Sequence, residues 1–149
     1  MARIIHTGET PAKKRHAISR SCAEVIRLLA QKGGFDDESR DMCAFLVFNL
    51  RELYATIDSS AHAWDERNYW KKAEKLRGDY RWAVILADEL RNLIIEDRWH
   101  LMPDVLLKLA PHFSNITIVS VTRDADWWCG AHRALLREAA EMPSSGRRE

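Results

Sequence analysis

Apolar residues recur at three- and four-residue intervals along most of the chain, and each such stripe predicts one face of an α-helix. Ile18, Cys22, Val25, Ile26 and Leu29 form the first stripe. Thr10-Pro11 marks its start, because a hydroxyl can accept from first-turn amides and a proline has no N–H to leave unpaired there. Gly33-Gly34 can supply a left-handed end, with Phe35 as the clasp after it. Asp36, Asp37 and Glu38 then place carboxylates at the positive end of a second helix. That helix is apolar on every face from Met42 to Phe48 and continues through Leu50, Leu53, Tyr54 and Ile57. A helix apolar all round belongs at the centre of its bundle, and the short connection makes the first two helices antiparallel neighbours.

After Ile57 the phase shifts. The next clear seam is Tyr69, Ala73, Leu76, Tyr80, Ala83, Ala87, Leu90 and Ile94. One helix from Asp37 to Asp97 would far exceed the usual length of about 8–20 residues, so a turn is expected within Ser59 to Asp65 and a third helix from there to about Glu96. Pro103 and Pro111 bracket a short helix carrying Val105, Leu106 and Leu109. The run from Asn115 to Thr122 is rich in β-branched residues and reads as extended. A lone strand leaves its backbone unpaired, so it is expected to pair with Arg3–His6 or across a dimer. Asp124 can cap a last helix bearing Trp127, Trp128, Ala131, Leu135 and Ala139. The pattern therefore predicts an all-α, single-domain bundle of four main helices plus one short helix, with a short extended segment near residues 116–121. Residues 1–9 are expected to be an N-terminal extension, 10–142 the bundle and 143–149 a disordered tail.

Composition agrees with one globular unit: 149 residues, 46% hydrophobic and 30% charged. A chain of that length buries about 68–70% of the surface it exposes unfolded, so it needs no disulfide or metal to hold a core. No apolar run reaches the roughly 20 residues that cross a bilayer, and the N-terminus lacks a signal-peptide core. Cys22, Cys43 and Cys129 are too few and too scattered for a disulfide framework or a four-cysteine metal site. A soluble, cytoplasmic protein with reduced thiols is expected.

The formal net charge is only +1, which argues against a globally basic nucleic-acid binder. The charge is nevertheless blocked along the chain. Residues 1–34 carry seven basic and two acidic groups, residues 35–66 two and eight, and residues 67–82 six and two. Matched antiparallel neighbours would explain this alternation. The alternative is a phosphate-binding surface on the first and third helices, formed by Lys13, Lys14, Arg15, Arg20, Lys71, Lys72, Lys75 and Arg77. The third helix also interleaves these bases with Trp64, Tyr69 and Trp70, as single-strand binders do.

Candidate chemistry is sparse. Asp58, His62 and Glu66 stand at helical spacing and are weak metal candidates, but no Glu-x-x-His motif accompanies them. Cys129 and His132 lack the partners a structural zinc needs. GxSxG, P-loop, GxGxxG and HExxH patterns are all missing, so no catalytic residue and no cofactor are expected. The leading expectation is a non-enzymatic protein-interaction or self-association domain in the simplest closed form, a homodimer. Its interface is expected at Ile116, Ile118, Val121, Trp127 and Trp128, where a strand edge and an aromatic patch await a partner. Nucleic-acid association is the first alternative, and a metal- or small-ligand-binding bundle the second.

Overall fold

A computed structural model describes residues 10–141 of the chain. The first helix, α1 (Pro11–Ala30), opens as the sequence predicts, with the Thr10 side chain accepting from the Lys13 N–H at 3.3 Å. It ends differently. Gln31 and Lys32 close it with right-handed turns, and neither Gly33 nor Gly34 takes a positive φ. Asp36 caps α2 (Asp37–Glu66), accepting from the Ser39 N–H and hydroxyl, each at 2.8 Å. The burial of Met42 through Val47 without a break makes α2 the central element, packed against α1 and most of the helices that follow.

The turn expected within Ser59 to Asp65 is not there. The α2 helix runs on through those residues because Ala61 is fully buried and continues the stripe, and serine or aspartate without Gly or Pro does not stop a helix held by packing. Asn68, at φ 67°, ends it. The Tyr69 N–H reaches the Trp64 carbonyl and the Asn68 N–H the Asp65 carbonyl, both at 2.9 Å, which is a Schellman closure with Asn in the place usually held by Gly.

The expected third helix is two: α3 (Trp70–Asp79) and α4 (Arg81–Ile95), broken at Tyr80 just after Gly78. Arg77 explains the break. Its guanidinium donates to Asp58 and Asp65 on α2, each at 2.9 Å, and to Glu74 at 3.2 Å, fastening α3 to α2 while α4 turns into the core. Asp97, at φ 59°, ends α4 by a second Schellman closure, with the Arg98 N–H on the Leu93 carbonyl at 2.9 Å.

The predicted short helix is α5 (Met102–Leu109), prolonged as a tighter turn over Ala110–Phe113. The last helix is divided by Gly130, at φ 84°, into α6 (Ala125–Trp128) and α7 (Ala131–Glu141). Asp124 caps α6 as expected, and Asp41 of α2 accepts from the His132 N–H at the start of α7 at 2.9 Å. The protein is thus an all-α, single-domain bundle around one core in which Phe45, Leu46, Leu50, Leu90, Met102 and Leu135 are sealed from solvent. No strand occurs among the described residues. The proposed partner strand Arg3–His6, the N-terminal extension and the whole of the proposed tail lie outside them.

Candidate functional site

The segment from Asn115 to Asp124, expected to be extended, is an irregular loop with bends at Ile116, Val119 and Ser120, and it pairs with no strand. Its backbone groups are met instead by side chains of one face of α1, spaced i, i+4 and i+7. Arg27 donates to the Ile118 carbonyl at 2.6 Å and Arg20 to the Ser120 carbonyl at 2.9 Å. Between them Glu24, 0% exposed, accepts from the Thr122 N–H at 2.7 Å, the Arg123 N–H at 2.9 Å and the Thr122 hydroxyl at 2.8 Å. Arg20 closes the array with an ion pair to Glu24 at 2.8 Å. Burial alone would raise the Glu24 carboxyl, yet the amide, hydroxyl and guanidinium donors around it hold it down to about 2. Arg123 adds a hydrogen bond to Ser21 and covers the Trp127 ring at 4.8 Å.

This array changes the standing of the residues expected at an interface. Trp128 is 2% exposed, edge-on to Phe45 and donating to Glu38 at 3.1 Å. Ile116, Ile118 and Trp127 are half-buried against the core, and Val121 is 39% exposed. The unpaired strand edge that motivated this surface is therefore not formed, because α1 supplies the hydrogen bonds that a partner strand would have made.

The elbow between α2 and α3 is the converse. Tyr69 is 54% exposed and Trp70 61%, although the periodicity placed Tyr69 in a core seam. The reversal follows from the late end of α2, which leaves Tyr69 in the turn. Trp64 lies half-buried beneath, meeting Tyr69 edge-on with centroids 5.7 Å apart. The Lys72 ammonium stands 4.3 Å from the Trp64 ring centroid, and that of Lys71 stands 5.6 Å from Trp70. Arg67, Lys71 and Lys72 thus rim the aromatics, while Glu66 and Glu74 on the flanking helices pair with His62 and Arg77.

Of the other bases proposed for phosphate, Arg77 is committed to three carboxylates, Lys75 pairs with Asp79 at 3.1 Å and Arg20 with Glu24. Lys13, Lys14 and Arg15 have no ion-pair partner among the described residues, so the sign-matching expected between α1 and α2 is realised instead between α3 and α2. Asp58, His62 and Glu66 do share one face of the unbroken α2. Asp58 is taken by Arg77, however, and His62 and Glu66 form an exposed pair at 3.3 Å. No group of three or more metal-capable side chains gathers among the described residues. Burial pushes the Cys22 and Cys43 thiols up to about 12, so both stay protonated and unreactive at neutral pH. His132 opens on a cleft of about 720 Å³ beside Asp37, Asp41 and Cys129, and burial lowers its pKa.

Fold and surface together define a helical bundle with a bolted loop and an exposed aromatic elbow. No family model, curated protein or solved structure matches the chain.

Proposed function

We propose that the protein is a non-enzymatic association domain that forms a homodimer through the α2–α3 elbow. The observation that carries the reading is the exposure of Tyr69 and Trp70 side by side on a rigid turn. Burying either ring would remove a large apolar area from water, and the bundle gains nothing from leaving both outside. Trp, Tyr and Arg are also the residue types on which interfaces concentrate their energy.

The charges around the rings favour a second copy as the occupant. A two-fold interface sets each patch against itself, so Lys71 and Lys72 of one copy can lie over the exposed Tyr69 and Trp70 rings of the other. A nucleic-acid strand would find Lys75 and Arg77 already neutralised. Light scattering coupled to size exclusion tests the proposal. Twice the 17.3 kDa chain mass at micromolar concentration, falling to one chain mass in Trp70→Ala, is expected. A wild-type monomer at that concentration overturns the proposal.

A further inference from the structure

A cleft of about 570 Å³ lies between α1, the start of α4 and the loop after α5. Its volume falls in the range of about 300–1,000 Å³ typical of small-molecule sites. The α1 wall presents Arg15, His16, Ser19 and Arg20, and no carboxylate lines the cavity. Glu24, behind the wall, already pairs with Arg20, so Arg15 carries the charge that no acid balances. Arg15 makes only a long contact, 3.5 Å, to the Ser60 hydroxyl, so most of its donors are unused by the fold. Arg20 spends Nε on Glu24 and one terminal nitrogen on Ser120, which fixes the guanidinium in place. The remaining terminal nitrogen is unassigned among the described residues. Asn115 and Thr117 add neutral hydrogen-bonding groups from the facing loop.

The opposite wall is aromatic. His112 lies flat on Trp82, with centroids 3.8 Å apart and planes 8° from parallel. Phe113 braces the Trp82 edge at 5.7 Å. His112 remains exposed, so its outer face extends the stack as a platform for another flat ring. Arg15 supplies the uncompensated charge for a phosphate monoester, Arg20 adds the N–H groups it does not spend on Glu24 and Ser120, and the fork geometry of Arg suits the phosphate oxygens.

We infer that this cleft binds a small phosphate monoester carried on a planar ring, a ligand of mononucleotide size. The inference does not depend on the dimer, since none of the elbow residues lines the cavity. Isothermal titration calorimetry on the full chain at low salt tests it, with adenosine monophosphate as the probe. Micromolar binding is expected, with inorganic phosphate competing and uncharged adenosine binding at least about tenfold more weakly. Arg15→Ala should weaken the probe about tenfold or more at an unchanged melting temperature. Should that variant fail to fold, Ser19→Asp, which places a carboxylate in the same wall, should abolish binding. His112→Ala should weaken adenosine monophosphate but not inorganic phosphate. The inference is overturned by no heat from either phosphate at millimolar concentration, by equal affinity for adenosine, or by undiminished binding in a folded Arg15→Ala or Ser19→Asp chain. Tighter binding of a single-stranded oligonucleotide than of the mononucleotide overturns it as well.

Discussion

The loop from Asn115 to Asp124 and the elbow from Trp64 to Lys72 both carry side chains that invite a partner, and the fold treats them in opposite ways. The loop is answered from within, since α1 aims Arg20, Glu24 and Arg27 at its backbone. The elbow is left open, because α3 is fastened to α2 by Arg77 at its far end and Tyr69 and Trp70 stay largely exposed among the described residues. What separates them is the neighbouring helix. One faces an array of donors and acceptors at the right spacing, and the other faces solvent.

The comparison breaks most sharply at Glu24. Removing one partner of a buried, hydrogen-bonded charge costs about 3–5 kcal/mol, because the groups it served are left unpaired. Glu24→Ala is therefore expected to lower the unfolding free energy by about that much in urea titration, and to speed hydrogen exchange at the Thr122 and Arg123 amides. A loss under about 1 kcal/mol would mean that core packing alone holds the loop.

Acid should loosen the loop by the same route. The carboxyl of Glu24 sits near 4.5 in an unfolded chain and is held to about 2 in the fold, so its contribution is complete above about pH 4.5. The unfolded state binds more protons between these values, so stability falls as pH drops from about 4.5 toward 2. Asp36, held to about 2 mainly by the Ser39 amide and hydroxyl, adds to the same slope. Glu24→Gln should flatten the wild-type dependence across that window and leave only the Asp36 share. Denaturation melts at stepped pH would expose an unchanged slope, which would contradict the assignment.

How far the two regions could be read from sequence differs for physical reasons. Caps are local, so Thr10, Asp36 and Asp124 were legible and are used as expected. The central position of α2 was equally legible, because its apolar surface has no polar side to turn outward. The end of α4 near Glu96 was legible as well. The end of α2 was not, since Asn68 adopts the left-handed turn that was sought at glycines. The role of Glu24 depends on residues 98 and 99 positions away, which no periodicity reveals. One signal was present: a glutamate beside Cys22 and Val25 on a buried stripe must have partners. The cleft on α1 was visible only as a run of bases, and its aromatic wall comes from elsewhere in the chain.

Arg77 belongs to the elbow side of the comparison, and its effect should be intermediate. The three carboxylates it joins are partly or largely exposed, and such networks contribute about 1 kcal/mol rather than the several of a buried pair. Arg77→Met, which keeps the apolar stem, should lower stability by about 1 kcal/mol at low salt and by less as salt rises. Amide exchange should quicken in α3 and not in α4. Equal quickening in both would show that α3 and α4 behave as one helix despite the break at Tyr80.

Trp70 should affect folding least. An exposed ring on a turn contributes little to the monomer, so Trp70→Ala is expected to leave the unfolding free energy within about 0.5 kcal/mol when measured at concentrations where the chain is monomeric. The same substitution should weaken the dimer by about 2 kcal/mol, raising its dissociation constant roughly thirtyfold. The two measurements have to separate for the comparison to stand. A Trp70→Ala chain that loses stability as a monomer would place the ring among the groups that hold the bundle together, and the elbow would then be, like the loop, a segment whose needs are met from within.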